Sequence, residues 1–407
     1  MTRVAVAALA LAAMAVGTPA LAQGPALQGR VHDAWGDAEA GRCVPDVSAA
    51  LEALPVRGVP LGFDPGGERG FFPPLRHWQG VQRLAIDDAR WLVASRSGSS
   101  TGFVVIRMGS RDTDGLAFGA SRKSDGIPDW SAPPPVTDAV VSRVESEPGL
   151  GHAGGIQVTG TLLAVPYEAR GDSAVVVFYD LSVPALPRRL GLVRRPAWAG
   201  GHASLVAVTR LADRRLLLVI GAQSSEVLEF LVSQTADPFA FGAQPAFTPV
   251  YVERGGIHGG FQNLNFVTQC DGTLYLVGVG NTGFPPPNLG EDHVEWFAVR
   301  GNPSRGLRLE REGRRRFDCR ECNFGAGGGV YVTPAGAMVV YGIGQGLGGP
   351  GGTAEVEEFA PLPPAIQTSA GSVAGDPSGR RDSNPGPPAP KAGALPDCAT
   401  PRNRRGS

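Results

Sequence analysis

A short pattern recurs along the middle of this chain and limits what it can fold into. Gln79-Gly80-Val81-Gln82, Gly154-Gly155-Ile156-Gln157 and Gly259-Gly260-Phe261-Gln262 share a small or polar residue, a glycine, an apolar residue and a glutamine. The glutamines lie 75 and 105 positions apart, and 105 is about twice 52. A diverged copy, Gly200-Gly201-His202-Ala203-Ser204-Leu205, falls in the longer gap, and Gly327-Gly328-Gly329-Val330-Tyr331 makes a fifth. After each anchor comes an apolar, β-rich run: Trp91–Arg96, Leu162–Tyr167, Leu216–Ile220, Leu274–Val279 and Met338–Tyr341. A second run follows each after a turn: Phe103–Met108, Ala174–Tyr179, Val227–Val232, Val294–Val299 and Glu355–Phe359. Turn signals such as Asp271-Gly272 and Pro334-Ala335-Gly336 separate them. No segment sustains a helical apolar period except Val47–Leu54.

Five units of three or four short strands predict an all-β chain folded as a β-propeller. A sandwich gives no reason for one anchor to open every unit, whereas radial repetition does and leaves only short sheet edges. Residues 77–360 are assigned to the propeller, with five visible blades. The irregular segment 23–76 is left either to supply a sixth blade or to cover one face. Gly109–Asp138, with its aspartates and Pro133-Pro134-Pro135, is expected to be a long surface loop.

One unit carries a resemblance. Thr161-Leu162-Leu163-Ala164-Val165, followed by Val175-Val176-Val177-Phe178-Tyr179-Asp180-Leu181-Ser182-Val183-Pro184, resembles the LVIVD-type repeat of bacterial surface propellers. Val183 stands where that repeat usually has Asp, and the other four units lack the turn. The resemblance spans about 40 residues; it implies a propeller and transfers no activity or site.

Both ends read as something other than fold. Arg3, an apolar run Val4–Val16, a Gly17-Thr18-Pro19 break and Ala20-Leu21-Ala22 have the order of a secretory signal peptide cleaved after Ala22, so the expected location is periplasmic or secreted. Residues 361–407 contain no aromatic residue, and 16 of the 47 are Gly or Pro, too little apolar surface to offset ordering entropy. Arg381-Asp382-Ser383-Asn384-Pro385 matches one frame across the complementary strand of a tRNA T-arm, which suggests that the tail is a reading frame running through a tRNA gene. With 37 basic against 38 acidic residues, nucleic acid is not expected as a partner. The 13-residue apolar run at the start is too short for a comfortable membrane span, so no integral membrane domain is expected.

Histidine placement carries the chemistry. Of six histidines, His77, His152, His202 and His258 stand at blade starts. His77 and His152 each precede the anchor glutamine by five positions, and His258 by four. If the anchor opens the innermost strand, these imidazoles ring one mouth of the central channel, and Gln82, Gln157 and Gln262 recur at one depth along it. The plainer expectation is a lining of a water-filled pore; the sharper one is a divalent zinc, copper or iron ion, the only cofactor this set suggests. Trp78, directly before an anchor, is a candidate for stacking on a ligand. Cys43, Cys270, Cys319 and Cys322 are an even set in an exported chain and point to disulfides. A local Cys319–Cys322 bridge would leave Cys43 with Cys270, and three pairings are open.

Other motifs fail on context. Gly98-Ser99-Ser100-Thr101-Gly102 joins two strands rather than a strand and a helix, and Gly344-Gln345-Gly346-Leu347-Gly348-Gly349 is followed by Pro350 where a helix must begin. Arg311–Arg320 reads as a mixed-charge turn. With no catalytic triad or carboxylate pair at the anchors, the leading expectation is a non-enzymatic propeller binding a protein, glycan or small ligand on one face. The alternative is a metal-dependent hydrolase or lyase with a His-lined site at the channel mouth.

Overall fold

The structure is a computed structural model and describes residues 42–361 except 62–75, 85, 87–90, 99–100, 109–138, 170–172, 196–202, 223–224, 240–244, 256–258, 283–289, 303–305, 321 and 345–355. The expected signal peptide, the Gly109–Asp138 loop, the tail beyond 361, His202, His258 and most of the Gly344–Gly349 motif lie outside the described residues.

The described residues form five antiparallel sheets arranged as a five-bladed β-propeller. Blade one is Arg76–Leu84, Trp91–Gly98, Gly102–Arg107 and Ala139–Glu145, from the axis outward. Blade two opens on Leu150–Ala153 and Gln157–Thr159, then Leu162–Ala169, Ser173–Asp180 and Arg188–Arg195. Blade three is Leu205–Arg210, Leu216–Ala222, Val227–Ser233 and Phe247–Arg254. Blade four is Phe261–Thr268, Leu274–Asn281, Asp292–Asn302 and Gly306–Phe317. Blade five is Gly328–Val332, Met338–Ile343 and Val356–Phe359. Its outermost strand, Val59–Pro60, comes from the N-terminal side, with Val59 opposite Glu358 and Pro60 opposite Glu357. The described part of segment 23–76 thus completes the fifth blade and forms no sixth.

The burial pattern explains why these runs are strands. Leu216–Ala222 and Val227–Ser233 are buried at every position, because each sheet is covered on both faces by its neighbours. Outer strands such as Arg188–Arg195 mix exposed and buried positions, as a rim facing water requires. Apolar side chains gather into five clusters, one between each pair of adjacent blades. Trp78, Val81, Leu92 and Ile106 meet Tyr331, Tyr341 and Val356 across blades one and five, so the ring closes through a packed core. Other clusters join blades one and two, two and three, three and four, and four and five.

The N-terminal segment is a clasp. Val44 pairs with Gln269 at the end of blade four's inner strand, and its carbonyl accepts from the Cys270 amide at 2.9 Å. Cys43 and Cys270 form a disulfide with Cα atoms 4.8 Å apart, and Cys319 pairs with Cys322. Helix Val47–Glu52, the only helix among the described residues, is capped by Asp46, which accepts from the Ala49 amide at 2.9 Å. It buries Val47 and Leu51 between blades four and five. No helix among the described residues is long and apolar enough to cross a membrane.

Two expectations change here. Trp78 is fully buried among Val81, Leu92 and Tyr341 between blades one and five, so it packs the core and is no ligand platform. Arg311–Phe317 is not a turn but the outer strand of blade four. Its arginines are drawn to blade four's own acids, with Arg316 to Glu291 at 2.7 Å and Arg311 to Glu295 at 3.2 Å.

Candidate functional site at the imidazole mouth

Neighbouring inner strands run parallel around the axis, as the bridge between Gly155 and Leu205 records. On parallel strands, equal offsets from an anchor give equal heights. Gln82 and Gln157 occupy one level, so His77 and His152, five residues before them, meet at the mouth. Successive strand residues face opposite ways: Trp78 turns toward blade five, and His77 turns toward blade two, where His152 stands.

The two Nε2 atoms are 3.1 Å apart and the ring centroids 5.2 Å apart, with the planes inclined by 43°. Burial, followed by the charge of His152, pushes the His77 imidazole down to about 4. Burial also lowers His152, against an upward pull from Glu168. Both rings are therefore neutral at neutral pH, and one Nε2–H points at the other ring's lone pair. Glu168 Oε1 lies 3.6 Å from His152 Nδ1, on the far side of that ring. Ser97 is the strand partner of His77, and Arg96, nearly buried, is the partner of Trp78 one step deeper.

Below this mouth, amides cross the axis. Gln157 Oε1 accepts from Val208 N at 2.8 Å and from Phe266 N at 3.1 Å, while its Nε2 donates to Phe266 O at 3.1 Å. Asn263 Oδ1 accepts from Gly328 N at 2.8 Å, and Asn265 Oδ1 accepts from Val330 N at 3.1 Å. Gly155 and Gly329 are glycine because the strands nearly touch: a Cβ at Gly155 would strike the Gln262 carbonyl, and one at Gly329 the Val81 carbonyl and the Gln82 amide.

The expected ladder of Gln82, Gln157 and Gln262 needs one correction. Asn265, not Gln262, shares the level of Gln157, since Gln157 binds Phe266 and Asn265 binds Val330. A bulge between Phe261 and Asn263, behind Gly260 at φ 60°, shifts blade four's frame and leaves Gln262 nearer the mouth. The alternating Asn263 and Asn265 were the signal in the sequence, a polar pair at strand spacing inside an apolar run. Glu168 was also missed; it ends the run after Leu162–Tyr167 and reaches the mouth only through the pairing of blade two. His293, the one described histidine away from the anchors, is fully buried with Nδ1 3.0 Å from the Glu291 carbonyl. The inner strands carry no Asp or Glu.

Fold and site together define a five-bladed β-propeller with a neutral imidazole pair at one mouth of its axis. No protein-family model and no curated protein matches the sequence. Among solved structures, the chain is similar to the GH93 alpha-L-arabinofuranosidase of Fusarium graminearum in complex with arabinobiose. The identity is 12%, over 74% of this chain and 96% of that one, with a TM-score of 0.42. It is also similar to a GH43 beta-xylosidase/alpha-arabinofuranosidase from a compost microbial metagenome in complex with xylotriose. There the identity is 13%, over 74% and 95%, with a TM-score of 0.40. At such identity no substrate or residue is carried over. Both of those proteins are named as glycoside-cleaving enzymes, against the expectation of a non-enzymatic binding propeller, which is not carried further.

Proposed function

We propose that the protein is a metal-dependent hydrolase centred on His77 and His152. The observation that carries this reading is the 3.1 Å separation of the two neutral Nε2 atoms. Two imidazoles bound to one ion at about 2.0–2.1 Å each bring their nitrogens to roughly 3 Å of one another. The rest of the mouth is consistent with that role. Glu168 stands behind His152 on the Nδ1 side, where a carboxylate orients a ligating ring and raises its basicity. A divalent ion held here would supply a water activated at neutral pH and an electrophile for the substrate. His77 and His152 would fix its position, and the amides of Gln157, Asn263 and Asn265 would lie below it along the axis.

The test is metal content of the untagged protein by mass spectrometry, beside hydrolysis of a panel of aryl esters, phosphoesters and glycosides. Stoichiometric zinc, copper or iron that falls at least tenfold in both His77→Asn and His152→Asn, with activity lost in step, is the expected result. Folded protein that takes up none of these metals, or keeps its metal in both variants, overturns the reading.

A further inference from the structure

The opposite end of the axis holds a second, separate feature. Arg83 lies six residues beyond His77 on the same inner strand, and with the bulge between Trp78 and Gly80 the two are roughly 16 Å apart at about 3.3 Å per ladder step. There the ends of the inner strands enclose a cavity of about 80 Å³, walled by Arg42, Arg83, Gln157, Thr159, Thr268 and Tyr331 among others. That is room for several water molecules, or for one oxyanion the size of phosphate.

The chemistry of the wall is one-sided. Two guanidinium groups approach a single ring: the Arg83 Cζ lies 4.6 Å and the Arg42 Cζ 5.8 Å from the Tyr331 centroid. Two hydroxyls, from Thr159 and Thr268, and the Gln157 side chain complete the polar part, and no carboxylate stands among the lining residues. Arg83 is only 4% exposed, so its charge sits in a medium that magnifies attraction to an anion. Its position is fixed in advance. Nη1 donates to the Tyr341 hydroxyl at 3.4 Å, and that hydroxyl in turn donates to Glu358 at 2.8 Å, behind the cavity. Planar guanidinium forks are the groups that hold carboxylate, sulfate and phosphate by paired hydrogen bonds.

We propose that this second mouth binds a small oxyanion between Arg83 and Arg42, independently of the imidazole mouth. Its threonine hydroxyls would donate to the anion's remaining oxygens. Arg42 immediately precedes Cys43, so the clasp that closes the propeller also carries one wall of the pocket.

The experiment is titration of the full chain with inorganic phosphate, sulfate and acetate in turn, at constant ionic strength, followed by calorimetry and by melting temperature. Saturable binding of at least one anion is expected, weakened at least tenfold in Arg42→Gln and abolished in Arg83→Gln. Preference for phosphate and sulfate over acetate would assign a tetrahedral ligand, and the reverse a carboxylate; either supports the site. Arg83→Gln removes a buried strut and can fail to fold, so Arg42→Gln, at a half-buried position, decides that case. A folded wild-type protein that binds none of the three saturably, or an Arg42→Gln variant that binds as tightly as wild type, overturns the proposal.

Discussion

Gln157 and Phe266 are bonded in both directions: the glutamine oxygen accepts the Phe266 amide at 3.1 Å, and the glutamine nitrogen donates to the Phe266 carbonyl at 3.1 Å. One side chain from blade two thus behaves toward blade four as a strand neighbour would. The same oxygen takes the Val208 amide of blade three at 2.8 Å, so three blades meet in one carboxamide. Across the axis, the side-chain amides of Gln157, Asn263 and Asn265 bond to backbone groups of the facing inner strands.

Replacing Gln157 by Ala leaves the Val208 amide and both polar groups of Phe266 buried without their partner. Each orphaned group costs about 1–3 kcal/mol. A loss of about 3 kcal/mol or more in urea denaturation is expected, against less than half of that for Gln262→Ala. Equal losses would sink the assignment of Gln157 as the tie.

The Cys43–Cys270 bridge closes a loop with a sequence separation of 227. Removing a constraint of that length costs roughly 5 kcal/mol in the chain-entropy description. The double variant Cys43→Ser/Cys270→Ser is expected to melt well below the wild type and to release the Val47–Glu52 helix to proteolysis. Cys319→Ser/Cys322→Ser closes only a four-residue turn and is expected to change melting far less. An unchanged melting temperature in the first variant would show that the clasp is held by packing alone.

The depressed imidazoles tie stability to acid. His77 is lowered from its ordinary value of 6.5 to about 4, and His152 shifts the same way. Above pH 6.5 neither state takes up the proton and stability is unaffected. Between 6.5 and about 4 the unfolded chain protonates while the folded mouth resists, so stability falls as pH falls, and it levels off below about 4. Denaturation of chelator-treated protein at pH 7, 5.5 and 4.5 should show this slope, made shallower in His77→Asn. The same slope in both proteins would count against burial of the pair.

Glu168 touches the site only through His152. Glu168→Gln is expected to weaken metal retention 10–100-fold, as loss of a carboxylate behind a ligating imidazole does, while the melting temperature of the metal-free protein stays near wild type. Equal metal affinity in the two proteins would leave Glu168 as a surface acid.

What the sequence made legible follows from spacing. His77 and His152 share an offset of five from their glutamines, and parallel inner strands turn that equality into contact. Gly329 was visible as the fifth anchor even without its glutamine, because close approach of strands demands glycine there. Gln262 misled because a bulge at Phe261–Asn263 inserts a shift that no composition records, and the level passes to Asn265. Trp78 misled because neighbouring positions on a strand face opposite ways, so the residue beside a mouth-facing histidine is the one that enters the core. The arginine pocket was invisible for a different reason. Arg42, Arg83 and Tyr331 are brought together only when the ring closes.

That closure sets an order of events during synthesis. Val59–Pro60 leaves the ribosome before any of blades one to four, yet its partner Val356–Phe359 is made some three hundred residues later. Until then the first strand has no sheet to join, and Cys43 must wait for Cys270. Blades one to four can each pair their strands as they emerge, but the circle, and with it the shared level of the five inner strands, exists only once the last of them is complete. A ribosome stalled before residue 356 would hold an open arc.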